Sequence, residues 1–277
     1  MSDKQLKNVA IEREADGITF VMLNRPEKRN AMSPDLHYDM NAALDMVAAD
    51  KDTKVVVLGG NGEAWCAGQD LRLYFRGTEN DPEERQRSNE ASHAWRWERL
   101  STFAKPTIAM VHGYCFGGAF TQLCACDFAI TAEDATYGLS EVNWGIIPGG
   151  IVSWNVAQMM LPRHALFYAV SGETFDGKRA VELGLANFAV PRAKLREETT
   201  KFARKLLKIN PAVVRYTKEA VRAVRDMNED QARDYLRSKQ DSLARNDKEI
   251  REKVGMKQFL DDKTYRPGLG PYQRTEA

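Results

Sequence analysis

Apolar and polar positions follow two regimes along this chain. Up to about residue 190, short apolar runs close on glycine, whereas beyond it apolar residues recur at helical spacing among many charges. Residues 11–13 and 18–23 read as strands around a turn at Ala15, Asp16 and Gly17. Ser33 followed by Pro34 has the form of an N-cap with proline at the first helical position. Leu36, Met40, Leu44 and Val47 then mark one apolar face, which predicts a helix over 34–49. Residues 54–60 form a buried strand closed by Gly59 and Gly60, and 62–68 a loop. Gln69, Asp70 and Leu71 open a short helix. Residues 82–100 are charged around Trp95 and Trp97 and predict one long helix. Residues 107–111 are a strand running into Gly113, and Gly117 and Gly118 introduce a helix over 119–125. Strands follow at 128–131 and 136–139. Beyond Ile151 the pattern is helical, with Leu166, Phe167 and Val170 apolar, broken by a strand at 187–190. Residues 193–209, 212–227, 231–244 and 248–260 read as amphipathic helices.

The fold class that follows is α/β. Residues 1–190 are expected to form the α/β core and 191–277 a helical C-terminal module, because composition shifts near Pro191 from glycine-rich to glycine-poor and strongly charged. The core contains a loose internal similarity. Residues 55–60 lead through a glycine loop into a helix, and 108–113 do the same through Gly117 and Gly118. Stacked strand–turn–helix units bring such turns side by side.

Composition narrows the function. Over 277 residues the net charge is +1, with 43% apolar and 29% charged residues. This balance argues against nucleic acid or an anionic membrane as the main partner. No apolar run reaches the roughly 18 residues of a membrane span, and residues 1–8 lack the apolar core of a secretory leader. Cys66, Cys115, Cys124 and Cys126 fit no zinc spacing and read as reduced, buried thiols of a cytoplasmic protein. His37, His93, His112 and His164 do not pair at ligand spacing either, so no metal is expected.

The candidate chemistry lies between Met110 and Glu141. Residues 67–70 and 116–119 each present a glycine turn at a helix start after a buried strand. One such turn alone signals only a tight bend. Two of the same kind suggest a pair of backbone N–H groups converging on one oxygen, as suits a thioester carbonyl turning into an enolate. Glu141 is the only carboxylate in 137–150, and its neighbours Leu139, Val142, Trp144, Ile146 and Ile147 suggest a desolvated acid with a raised pKa. Asp127 reads as structural, and His112 as a polar residue at a strand end. Lys28 and Arg29 are either phosphate contacts or solvated surface, and Tyr74 and Tyr235 are by themselves ordinary amphipathic side chains.

Taken together, four stretches resemble the crotonase (enoyl-CoA hydratase/isomerase) superfamily over nearly the whole chain: residues 24–31 (Asn-Arg-Pro-Glu-Lys-Arg-Asn-Ala), 65–71 (Trp-Cys-Ala-Gly-Gln-Asp-Leu), 113–119 (Gly-Tyr-Cys-Phe-Gly-Gly-Ala) and 145–150 (Gly-Ile-Ile-Pro-Gly-Gly). Residues 30–34, 70–76, 139–146 and 255–263 look like those of its hydroxycinnamoyl-CoA (feruloyl-CoA) hydratase-lyases. The resemblance implies a crotonase-like spiral of repeated ββα units with a C-terminal helical module serving trimerisation and covering the pocket. It implies hydration of 4-hydroxycinnamoyl-CoA thioesters and retro-aldol cleavage to an aromatic aldehyde and acetyl-CoA. The oxyanion donors then fall on the backbone of Gln69 and Gly118, the catalytic glutamate on Glu141, and the substrate's phenol on Tyr74 and Tyr235. CoA falls near Lys28 and on Ala67, Gly68, Gln69, Asp70 and Leu71. Two-acid hydratases of the superfamily carry a second glutamate where this chain has Thr121. Met at Gln69, Gly at Ala119 and Ser at Thr121 are the residues the resemblance leads one to expect. No cofactor beyond the substrate's CoA is implied, and a homotrimer or homohexamer is. The rival readings are a hydratase or isomerase of aliphatic acyl-CoA, and a non-catalytic relative binding RNA or protein through the basic face of 201–208, which Glu197, Glu198 and Glu219 dilute.

Overall fold

The computed structural model describes residues 6–275. Its strands, in chain order, are β1 (Val9–Arg13), β2 (Ile18–Leu23), β3 (Val55–Gly60), β4 (Thr107–Val111), β5 (Tyr114–Phe116), β6 (Phe128–Ala132), β7 (Thr136–Gly138), β8 (Thr174–Asp176) and β9 (Phe188–Val190). They form a six-stranded sheet in the order β1-β2-β3-β4-β6-β9 and a three-stranded sheet in the order β5-β7-β8. Only β1–β2 in the large sheet and β7–β8 in the small one are antiparallel. Every residue of β2, β3 and β4 is buried, as parallel strands covered on both faces require.

The helices that position the site are α1 (Pro34–Ala49), α2 (Pro82–His93), α3 (Ala119–Ala125), α4 (Val152–Met159) and α5 (Pro162–Ser171). α1 has the predicted bounds: the Ser33 hydroxyl accepts from the Leu36 N–H at 3.3 Å, and Leu36, Met40, Ala43, Leu44 and Val47 are buried. The long helix expected over 82–100 differs. α2 gives way to a π-helical turn, Ala94–Arg99, and a short α-turn, Leu100–Thr102. A second π-helical turn, Leu71–Arg76, follows Asp70, whose carboxylate accepts from the N–H groups of Arg72 and Leu73. Such wide turns recur at functional sites.

The loop 24–31 is structural at its centre. Asn30 is fully buried with φ 56°. Its amide donates to the carbonyls of Asn61 at 2.9 Å and Ala64 at 2.7 Å, and its oxygen accepts from the Arg25 N–H at 2.8 Å. The Arg25 guanidinium meets Asp70 at 3.0 Å, so the basic loop is tied to the 67–70 turn.

The described chain divides into two compact units, one reaching Ala203 and the other starting at Arg204, within the helix Leu195–Leu207; the sequence reading starts the helical module at 191. The second unit is helical. Asn228 and Gln231 cap the helix Glu229–Asn246 reciprocally. Buried Glu249 accepts from Asn210 at 3.0 Å, from the Tyr272 hydroxyl at 2.9 Å and from the Thr275 N–H at 2.8 Å.

Gly113 joins β4 to β5 at φ 58°, and a Cβ there would lie 1.8 Å from the Glu63 carbonyl oxygen. Neither the dihedral nor the space admits a side chain. Gly113→Ala is expected to lower unfolding stability by about 3 kcal/mol, measured as a shifted urea midpoint; a loss under about 0.5 kcal/mol would mean that the 63–65 segment yields freely.

Candidate active site

The site grows from a short parallel pairing between the end of one loop and β5. The Trp65 N–H donates to His112 O at 2.8 Å, Cys66 N–H to Tyr114 O at 3.0 Å, and Phe116 N–H to Cys66 O at 3.1 Å. With Cys66 opposite Cys115, Gln69 and Gly118 each lie three residues farther on. Both turns between them need glycine: φ is 93° at Gly68 and 52° at Gly117. The turns touch, since a Cβ on Gly68 would lie 2.8 Å from Phe116 O and 3.7 Å from Gly118 N. Neither the Gln69 nor the Gly118 N–H donates to a protein acceptor among the described residues. These are the two N–H groups the sequence singles out, and they stand side by side.

Glu141 reaches the same place from the turn Ser140–Trp144 that follows β7. A Cβ on Gly117 would lie 3.0 Å from its Oε1, so the carboxylate lies directly over the glycine that precedes the donor. Its Oε2 is buried without a hydrogen-bond partner. Burial pushes its pKa above the ordinary value, opposed only by its own backbone N–H. Desolvation is the cause expected from sequence; of the apolar neighbours Leu139 is fully buried, whereas Trp144 is 66% and Ile147 80% exposed, and the Gly117 turn also lies against the carboxylate.

A cavity of about 1010 Å³ opens over these groups. Ala67, Gly68, Gln69, Leu71, Tyr74, Gly118 and Glu141 line it, and among the described residues Glu141 is its only carboxylate. Tyr74 is held on the π-turn 71–76, its hydroxyl donating to Asn89 of α2. Asp70 turns away to Arg25 and to its own helix. Thr121 is fully buried in α3, its hydroxyl 3.5 Å from the Gly150 carbonyl, and does not line the cavity. Lys28 is exposed outside the lining; Arg29 stands there instead, 5.1 Å over the Tyr114 ring. The lining belongs wholly to the first unit. Tyr235 is a half-buried residue of the second, on the helix Glu229–Asn246, with the Lys239 ammonium 5.4 Å from its ring.

Sequence reasoning missed two buried polar residues here. His37 is fully buried on α1; its pKa falls to about 3 through burial first and the nearby Arg96 charge second. Arg96 is 5% exposed, lines the cavity, and has its pKa lowered by burial to about 10. The one available signal was a lone arginine between Trp95 and Trp97. Among the described residues no three His, Cys, Asp or Glu side chains gather as a metal ion requires, and no helix is long and apolar enough to cross a membrane.

The chain is 50% identical over 270 residues to a hydroxycinnamoyl-CoA hydratase-lyase of Pseudomonas fluorescens, covering 97% of each. It matches the crystal structure of an enoyl-CoA hydratase from Bacillus anthracis at a TM-score of 0.83 and 25% identity, covering 98% of this chain and 100% of that one. An enoyl-CoA hydratase structure from Shewanella pealeana gives 0.82 and 27%, covering 94% and 96%. The model of the enoyl-CoA hydratase/isomerase family spans residues 13–266 and so takes in both glycine turns, the Glu141 loop and the sheet that places them. The two glycine turns and Glu141 thus lie within the matched scaffold, and this chain belongs to the enoyl-CoA hydratase/isomerase family.

Proposed function

We propose that this protein is a hydratase-lyase of 4-hydroxycinnamoyl-CoA thioesters such as feruloyl-, caffeoyl- and 4-coumaroyl-CoA. The observation that carries the reading is Glu141, the one carboxylate lining the cavity among the described residues, with its Oε2 buried, beside two N–H groups that have no protein acceptor among those residues. The P. fluorescens relative supports the choice of substrate.

The Gln69 and Gly118 N–H groups take the thioester oxygen and draw electron density from the double bond. Glu141 removes a proton from water as its oxygen bonds to the β-carbon, then returns that proton to the α-carbon. In the second stage the Glu141 carboxylate takes the β-hydroxyl proton as the bond between the α- and β-carbons breaks. Its electrons pass into the acetyl-CoA enolate, which the same two N–H groups hold, and the β-carbon leaves as the aldehyde. Glu141 supplies the proton that completes acetyl-CoA. Losing one such donor costs about 3 kcal/mol in the transition state. A lone acid suits this sequence, since one carboxylate shuttles one proton in each stage; Thr121, at the position of a hydratase's second glutamate, is buried away from the cavity. Tyr74 meets the substrate's phenol, Arg29 takes a CoA phosphate in place of Lys28, and no cofactor is needed beyond that CoA. A cytoplasmic location, suggested by four buried free thiols, belongs to the same proposal.

Self-association is part of it. α4 and α5 expose Trp154, Leu166, Phe167 and Val170, each about half or more accessible, with Leu161 between them at 70%. A contiguous apolar face of this kind marks an interface. We assign it to contacts between copies in a homotrimer or homohexamer. Phe167→Asp is expected to shift the sedimentation coefficient toward the single chain; an unchanged value rejects the assignment.

Glu141→Gln should lower kcat for aldehyde release from feruloyl-CoA by about 10³-fold while leaving thioester binding nearly intact. In the unaltered enzyme, kcat should fall with decreasing pH as Glu141 protonates, with a midpoint above the ordinary carboxylate value of 4.5. Turnover of crotonyl-CoA without aldehyde from feruloyl-CoA would replace this reading with an aliphatic hydratase. Tyr74→Phe should reduce kcat/KM for feruloyl-CoA about 10-fold and leave cinnamoyl-CoA, which has no phenol, nearly unchanged. Equal losses on both would remove Tyr74 from phenol recognition.

A further inference from the structure

Two buried residues that the proposed reaction does not use lie against its donors. The Trp95 indole N–H donates to His37 Nδ1 at 2.8 Å. That bond leaves the ring proton on Nε2, which donates to the Gln69 side-chain oxygen at 2.9 Å. The Gln69 amide nitrogen donates to the Ser92 hydroxyl at 3.1 Å. The Ser92 carbonyl accepts from Arg96 Nε at 3.1 Å, and Arg96 Nη1 donates to the Gly118 carbonyl at 2.9 Å. One chain of hydrogen bonds therefore runs from Gln69 to Gly118, hung on Ser92 and Arg96 one helical turn apart.

Stability does not account for this arrangement. Arg96 is buried, and no carboxylate lies within ion-pair reach of it among the described residues. An apolar side chain in place of a buried charge is often neutral or stabilising. What the guanidinium does contribute is direction: one nitrogen fixes the helix carbonyl of Ser92, another the carbonyl of the glycine that carries a donor N–H. Gln69, where the superfamily leads one to expect methionine, supplies the polar side chain that closes the chain at its other end.

We propose that Arg96, acting through the Gly118 carbonyl, and Gln69, acting through His37 and Ser92, are positioning residues that set the separation of the two oxyanion donors. The inference rests on the donor reading given above. A shared hydrogen-bond network couples its members, so the two ends should not behave independently.

Feruloyl-CoA bound to Glu141→Gln protein reports the grip on its carbonyl as a red shift of the thioester absorption. Adding Arg96→Met or Gln69→Met should at least halve that shift while Kd changes by about threefold or less. In the otherwise native enzyme each substitution should slow exchange of the acetyl-CoA α-protons in D2O about 10- to 100-fold, with KM held. The double variant should be no slower than the slower single one, and Arg96→Lys should recover part of the rate. Intact shifts in both variants, losses that multiply in the double variant, or a rise in KM alone would overturn the proposal. No shift in the Glu141→Gln parent would instead sink the donor reading, and this inference with it.

Discussion

The pairing of Cys66 with Cys115 decides where the rest of the site falls. Parallel pairing keeps residues at equal distances beyond the contact level with one another, so Gln69 and Gly118 arrive together, each at a helix start. The bonds of the pairing use the Cys66 and Phe116 N–H groups and stop there. Glycine at 68 and 117 then turns both strands sharply; the Ala67 N–H goes to Arg29 O and the Gly117 N–H to Gly138 O, each at 3.0 Å, while the Gln69 and Gly118 N–H groups find no protein acceptor among the described residues. A slip of one residue would send one donor to the other face of its strand. The unfilled hydrogen-bonding capacity is thus a consequence of register.

The acid depends on the same turn. Glu141 lies over Gly117, where any Cβ would crowd its carboxylate at 3.0 Å. Glycine therefore serves two purposes at one position: it permits the positive φ and clears space for the acid. Closeness of backbone to carboxylate strips water from Oε2, and its basicity rises for that reason. Gly118 follows Gly117 directly, so the carboxylate that the Ser140–Trp144 turn brings over Gly117 also lies close to the Gly118 N–H.

Local signals made much of this legible. α1 and α3 have their predicted bounds because caps, glycines and apolar spacing are written within a few residues. β5 and β8, three residues each, were not read, whereas β7 and β9, equally short, were. The break in 82–100 escaped notice because a π-turn keeps helical composition. Both glycine turns and Glu141 stood out as motifs, and burial raises the acid's pKa as expected, although of its apolar neighbours Leu139 is buried while Trp144, Ile146 and Ile147 are exposed. Between Lys28 and Arg29 composition could not choose. The left-handed backbone at Arg29 and Asn30, fixed by the buried Asn30 amide, decides which cation meets the cavity. His37 and Arg96 were invisible for a related reason: their partners, Gln69 and Gly118, lie 32 and 22 residues away.

The neutral state of His37 has a further consequence for how the site responds to pH. Its Nδ1 faces the Trp95 N–H, which can only donate. Protonating that nitrogen would set two donors against each other in a fully buried space, beside the Arg96 charge. Burial and that charge together hold its pKa down at about 3. Arg96, with a pKa of about 10, keeps its proton at neutral pH. Both ends of the network thus hold one protonation state across the range in which an enzyme of this kind works. Glu141 is the member of this trio whose pKa is raised, by burial. The hydrogen bonds around Gln69 and Gly118 thus run through groups that keep one protonation state, with the acid Glu141 beside them.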